Sequence, residues 1–122
     1  ETGHFSESWG KMAQDFGLTL RALRFYESRG LIAPQRFGGA RYYSARDRAR
    51  VSLILAAKQL GFTLSETADM IGKSGDGEMS DLPLSQETVT AQIDFLENQR
   101  TAIDTALDAL RQRLRLMSTP GL

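Results

Sequence analysis

Apolar positions in the first half of the chain recur at helical spacing in short runs, each punctuated by a capping residue or a glycine. Trp9, Met12, Ala13 and Phe16 share one face of a short helix that Ser8 caps. Gly17-Leu18 makes a turn. Leu20, Leu23 and Tyr26 then mark the inner face of a second helix, opened by Thr19, whose hydroxyl accepts a first-turn amide. Arg21, Arg24 and Ser28 lie off that face and point outward. Gly30 supplies the left-handed conformation that stops a helix, and Pro34 prevents its return. Gly38-Gly39 has the φ freedom of a tight hairpin turn, flanked by Arg36 and Arg41 and extended by Tyr42 and Tyr43. Ser44 caps a third helix from Ala45 to Leu60, with Val51, Leu53, Ile54, Leu55 and Ala57 apolar. Gly61 ends it. Thr63 or Ser65 opens a fourth, with Leu64, Ala68 and Ile71 inward.

Two stretches depart from this rhythm. Lys73–Pro83 has no period and reads as a polar, acidic loop. From Ser85 to Met117 the apolar residues instead alternate four and three apart: Val89, Ile93, Leu96, Ile103, Leu107, Leu110, Leu114 and Met117, with Arg100 in the one missing place. That is a heptad seam. At 1.5 Å per residue the helix is about 50 Å long, too long to hide its seam against a head of four short helices. A second copy of the same helix is the simplest cover, and a lone polar seam residue such as Arg100 sets register or strand direction. The expected organisation is a lead-in at 1–7, a winged helix-turn-helix domain at 8–73, an acidic loop at 74–84, a coiled-coil dimerisation helix at 85–117 and a tail at 118–122. Within the lead-in, residues 4–8 read as extended or frayed. Trp9, Phe16, Phe25 and Phe62 are expected in the core, Tyr42 half-buried, and Tyr26 in the core with its hydroxyl reaching a phosphate.

Hydrophobic residues make up 41% and charged residues 25%, a balance that fits a soluble globular chain of one domain with an appendage. No secretory signal pattern and no membrane-length apolar run is present, so the expected compartment is cytoplasmic, with no membrane partner. Cysteine is absent, which removes disulfides and thiolate metal sites. His4 is the single histidine. Glu66 and Asp69 share a helix face in the manner of solvated surface acids, and Asp76, Glu78 and Asp81 lack calcium-loop spacing. There is no glycine-rich phosphate loop. No enzyme activity, cofactor or metal is expected.

Net charge is zero, but its distribution changes the picture. Residues 19–58 hold nine cations against two anions, a local charge of +7, and the rest of the chain carries −7. A basic block that coincides with a helix-turn-helix and a hairpin is the footprint of a phosphate-binding face. Within it Arg46, Arg48 and Arg50 also read as solvent-facing charges paired with Asp47.

The stretch TLRALRFYESRGLIAP, followed by Arg36, by Arg41-Tyr42-Tyr43-Ser44 and by LAAKQLGFTLSE, resembles the MerR family of bacterial transcription regulators across about residues 8–117. The resemblance implies a mainly α fold: a winged helix-turn-helix head with a β-hairpin wing, a second helix pair, and a long C-terminal helix forming an antiparallel coiled coil in a homodimer. It implies that Thr19, Arg21, Arg24 and Tyr26 touch bases and phosphates. Arg36 and Arg41 would reach the backbone or minor groove from the wing, with Tyr43 supporting them, and Lys58 would contact a phosphate. Val89, Ile93, Leu96, Arg100, Ile103, Leu107, Leu110 and Leu114 would hold the dimer together. The implied partner is a pseudo-palindromic double-stranded promoter site whose spacer is bent and untwisted so that RNA polymerase engages it indirectly. Family members that sense metals or oxidative stress carry cysteines near both ends of the long helix. Here Ser85 stands near the first such place and 118–122 hold none, and 122 residues leave no room for a large effector domain. A repressor or excisionase-like DNA bender of the same fold, and a coiled-coil protein-interaction adaptor, remain open alternatives.

Overall fold

The structure, a computed structural model, describes residues 7–72 and 81–118. The tail at 119–122, most of the lead-in and most of the acidic loop therefore lie outside the described residues. The chain divides into two compact units, Glu1–Pro83 and Leu84–Leu122. The first contains β1 (Glu7–Ser8), α1 (Trp9–Phe16), α2 (Leu20–Ser28), β2 (Gln35–Phe37), β3 (Ala40–Tyr43), α3 (Ala45–Gln59) and α4 (Leu64–Gly72), and the second is α5 (Gln86–Ser118). The expected mainly helical fold, with a hairpin after the second helix and a long C-terminal helix, is what forms.

Local chemistry sets the boundaries. Ser8 Oγ accepts from Lys11 N at 3.4 Å, Thr19 Oγ1 from Ala22 N at 3.0 Å, and Ser85 Oγ from Thr88 N at 3.1 Å. Ser44 and Asp47 form a reciprocal capping box on α3. Thr63, rather than Ser65, opens α4 by the same reciprocal pattern: its hydroxyl accepts from Glu66 N and its own N–H donates to Glu66 Oε1. Gly38 and Gly39, at φ 57° and 87°, make the two-residue turn between β2 and β3.

The sheet has the order β1-β3-β2 and is antiparallel throughout. Residues 4–8 read as extended or frayed in the sequence. At Glu7–Ser8 the chain is extended and also paired, against Tyr43 and Tyr42. Two residues are too short to carry an alternating pattern, so this strand has no sequence signature.

The core draws on every helix of the head: Met12 from α1, Leu23 and Tyr26 from α2, Val51, Leu53, Ile54 and Ala57 from α3, and Ile71 from α4, with Leu31, Ile32 and Tyr43 between them. Two expected core residues are not in it. Trp9 is 42% exposed and Phe25 49%. Trp9 heads an eight-residue helix whose burial centres on Met12, one turn further in. Phe25 lies two residues from Leu23 and one from Tyr26, so the 3.6-residue period turns it away from the stripe they define. Phe16 and Phe62 are half-buried. Thr67 is buried instead, on the same face as Ile71, its hydroxyl donating to Thr63 O at 2.8 Å.

Asp47 is 4% exposed and does more than cap. One carboxylate oxygen accepts from Ser44 N at 3.2 Å and the other from Ala33 N at 3.0 Å, fourteen residues back. Arg50, one turn along α3, donates from Nη1 to Leu31 O at 3.2 Å. The segment joining α2 to the hairpin is thus clamped by α3. Tyr43, by contrast, is fully buried with a hydroxyl that has no hydrogen-bond partner among the described residues. Burial pushes its phenol above the usual value of 10.0, as do Glu27 and Asp47, while Arg41 and Arg24 pull it down.

Asp47→Ala leaves two backbone amides without acceptors and is expected to lower unfolding free energy by about 2–4 kcal/mol in urea titration, with Asp47→Asn retaining part of it. Tyr43→Phe removes an unmatched buried hydroxyl, so at pH 7 its stability is expected to lie within about 1 kcal/mol of the parent, or above it. The raised phenol holds its proton in the folded state beyond the pH at which the unfolded chain releases it. Its stabilising contribution is therefore complete below pH ~10 and is lost as pH rises through the folded value. Thermal melts between pH 9 and 11 should show a shallower alkaline decline for Tyr43→Phe than for the parent.

Candidate nucleic-acid interface

α2 is the second helix of a helix-turn-helix whose turn is fixed by Gly17, at φ 66°, and whose first amide is satisfied by Thr19. Its buried stripe, Leu23 and Tyr26, leaves Arg21 and Arg24 on the outer surface. Both are exposed, and neither makes an ion pair among the described residues. Arg36, on the first hairpin strand, and Lys58, in the last turn of α3, are also exposed without such a pair. Thr19 is exposed at the head of α2, and its hydroxyl keeps a proton to donate after accepting from Ala22 N.

The remaining residues implied in this role sit differently. Tyr26 is 7% exposed, and burial raises its phenol above the ordinary range. Tyr43 offers no surface at all. These two rings lie beneath the cationic surface and support it. Arg41 is half-buried and tied down: its Nε donates to Glu27 Oε1 at 2.9 Å. Among the described residues that bond engages Nε alone, so the two Nη groups keep their donors. The Glu27 carboxylate therefore fixes the direction of the Arg41 fork and joins the hairpin to α2.

Other cations of the basic block serve the scaffold. Arg48 Nη2 meets Asp15 Oδ2 at 2.9 Å, and its guanidinium lies 4.9 Å from the centre of the Phe16 ring, which links α3 to α1. Arg50 reaches Leu31 O. Asp47, the acid the sequence offers to Arg46, Arg48 and Arg50, accepts from the Ala33 and Ser44 amides, and Arg48 has Asp15 as an acid partner. Glu27 was missed as a site residue. It is the only acid between Thr19 and Arg46, and an isolated acid inside a run of cations is the signal that marks it. Exposed Phe25 lines a cavity of about 310 Å³ with Tyr26, Phe62 and Lys58, between α2, α3 and α4.

What this arrangement does chemically is present exposed cations, without ion pairs among the described residues, from a helix, a hairpin and a helix end of one small head. Such a surface suits a polyanion with groove geometry. Comparison with known proteins points the same way. Residues 8–73 match the family described as MerR HTH family regulatory protein, and residues 48–114 match the one described as MerR, DNA binding. The HTH-type transcriptional activator TipA of Streptomyces coelicolor is 31% identical over 113 residues, covering 91% of this chain and 45% of TipA, so the chain spans about half the length of that relative. A MerR family transcriptional regulator from Bacillus cereus has the same fold, with a TM-score of 0.74 at 22% identity over 94% of this chain and 85% of its own. HiNmlR, a MerR family regulator lacking the sensor domain and bound to promoter DNA, aligns with a TM-score of 0.51 at 23% identity over 91% of this chain and 83% of its own. With a helix-turn-helix, a wing and a long terminal helix in that order, and with both family descriptions matched across them, the chain belongs to the MerR family of helix-turn-helix regulatory proteins.

Proposed function

We propose that this chain is a sequence-specific, double-stranded DNA-binding transcription regulator that acts as a homodimer on a pseudo-palindromic promoter site. The observation that carries this reading is the division of the basic block. Arg41, Arg48 and Arg50 are bound into the scaffold, while Arg21, Arg24, Arg36 and Lys58 stay exposed on the helix-turn-helix, the wing and the end of α3, with no ion pair among the described residues. Like charges exposed on one small head repel one another in the free protein. A phosphate backbone relieves that repulsion and releases counterions as it does so. In this reading α2 enters the major groove with Thr19, Arg21 and Arg24 toward base edges and phosphates. Arg36 and the free Nη groups of Arg41 meet the flanking backbone, and Lys58 meets a further phosphate. Tyr26 and Tyr43 hold the surface from below.

Dimerisation is supported by α5. Its 33 residues include no buried side chain, and Ile93, Ile103, Leu110 and Leu114 are each more than half exposed. Val89, Leu96 and Leu107 continue the same seam, which Arg100 interrupts. A second copy covers a seam of this kind by antiparallel coiled-coil packing, and so sets the spacing of two heads on two half-sites. Bending and untwisting of the spacer between half-sites, which lets RNA polymerase engage the promoter, follows as the mode of regulation. The DNA-bound state of HiNmlR supports this assignment by fold. The protein works in the cytoplasm, on the nucleoid when bound.

Selection from a random duplex pool should enrich a pseudo-palindrome, and failure to enrich any site would refute the reading. On the enriched site Arg24→Ala is expected to weaken binding by about 1–3 kcal/mol, and Arg24→Ala combined with Arg41→Ala by more. Log affinity should fall steeply with log salt. Because a dimer carries every contact twice, Lys58→Ala should reduce the magnitude of that slope by about 2, near 0.9 for each phosphate released. Leu107→Asp places a charge in the seam of both helices. Sedimentation should then show the monomer, and binding to a full site should fall to that of a half-site.

A further inference from the structure

Sheet alternation gives the hairpin two faces. Cross-strand pairs Arg36–Arg41, Phe37–Ala40 and Gln35–Tyr42 place Arg36, Arg41 and Tyr43 on one face and Gln35, Phe37, Ala40 and Tyr42 on the other. The first face turns to the core through Tyr43 and to Glu27 through Arg41. The second is aromatic and open. Phe37 is 53% exposed, and its ring is steadied by that of Tyr42, with centroids 5.8 Å apart and planes at 58°. Beyond Phe37 the tip carries almost nothing: Gly38 and Gly39 have no side chain and open space where one would stand, and Ala40 has a single methyl. Phe37 is therefore the last bulky group before the end of the hairpin.

A single exposed aromatic on a protein surface is ordinary. This one differs in its setting. It lies next to Arg36, an exposed cation with no ion pair among the described residues, on the same strand, so neighbouring residues project a charge and an apolar ring to opposite faces of a narrow ribbon. The minor groove of a duplex offers the matching pair at the same scale: a phosphate rim, and inside it a wall of deoxyribose carbons, across a groove about 6 Å wide. We propose that Phe37 is a DNA-contacting residue that packs on the deoxyribose wall of the minor groove beside the half-site, with Tyr42 behind it and Arg36 on the adjoining phosphate. This rests on the DNA-binding reading above and adds an apolar contact to a surface so far described by charge alone.

The experiment uses the full chain and the duplex enriched by selection, and compares Phe37→Ala, Phe37→Leu and Arg36→Ala with the parent. An apolar contact releases no phosphate counterion, so Phe37→Ala should lose affinity by roughly 5- to 30-fold with the salt slope unchanged. Arg36→Ala should lose affinity and flatten the slope by about 2 for the dimer. Hydroxyl-radical footprinting, which attacks sugar C–H bonds, should show protection at the flanking deoxyriboses in the parent, lost in Phe37→Ala and partly kept in Phe37→Leu. Circular dichroism checks the hairpin variants for folding, and Phe37→Leu, which keeps apolar bulk beside Tyr42, decides the matter if Phe37→Ala unfolds. Affinity within twofold of the parent, unchanged sugar protection, or a slope that falls as for Arg36→Ala would each overturn the assignment, as would an aromatic face that serves a protein and not DNA. If the parent binds no duplex, the DNA-binding reading fails and this inference with it. If the parent binds and the Phe37 variants bind alike, this inference alone fails.

Discussion

A buried carboxylate holds the head in shape. Asp47 accepts from the amide that begins its own helix and from Ala33, in the segment that leaves α2. Remove it and a buried and a part-buried backbone donor lose their acceptor, a loss that falls on three elements together: the start of α3, the end of β3 and the approach to β2. Arg50 adds a second tie from the same helix to the same segment, at Leu31. The wing therefore does not hang from α2 by a free linker. Its entry point is fixed by α3, so the geometry between helix and hairpin belongs to the fold and does not have to be created by a ligand.

Fixing the geometry also explains how the positive charge is apportioned. A block of nine cations with two anions would repel itself if every group faced water unpaired. The chain spends both of its local acids on position: Asp47 on backbone amides, Glu27 on Arg41. It borrows a third, Asp15, from the preceding helix for Arg48. Neutralising these inner cations stiffens contacts among α1, α2, α3 and the hairpin. The outer ones are left to attract a polyanion. Whether an arginine is tied into the head thus depends on a carboxylate or carbonyl within its reach, and not on its order along the chain.

That separation marks where the sequence stops being legible. Helix limits were readable because each depends on one or two adjacent residues: Ser8, Thr19, Ser44, Thr63 and Ser85 at the starts, Gly17, Gly30 and Gly61 at the stops. The hairpin was readable from Gly38-Gly39 for the same reason. What could not be read links residues far apart. Asp47 meets Ala33 and Arg41 meets Glu27 across fourteen positions, Arg50 meets Leu31 across nineteen, and the two-residue β1 pairs with β3 across most of the head. Phe25 is a different case. Its place outside the Leu23–Tyr26 stripe follows from helical period, against the pull of its hydrophobicity toward the core. Trp9 is misplaced for want of a turn of helix before it. Among the site residues, periodicity was enough to put Arg21 and Arg24 outside, but the depth of Tyr43 depends on packing from other elements.

The long helix poses the opposite problem to the head. In Glu1–Pro83 a core of residues from every helix accounts for the fold, whereas in α5 no side chain is buried, and pairs such as Glu97–Arg100 and Asp108–Arg111, each at 3.9 Å, lie exposed on its surface. Exposed pairs of that kind are worth a few tenths of a kcal/mol. An isolated helix gains its stability from propensity alone, and even favourable sequences are marginal in water. The stripe of Ile and Leu along α5 is thus left exposed, and on the dimeric reading proposed above a second copy covers it. On that reading Arg100 also has a physical role. A lone cation in an apolar seam is tolerated only in those registers that bring it to water or to an acid, so it lowers the stability of the pair while excluding the slipped alternatives. On the dimeric reading, the spacing between two heads depends on that register, and the residue that weakens the seam is the one that makes the distance between half-sites definite.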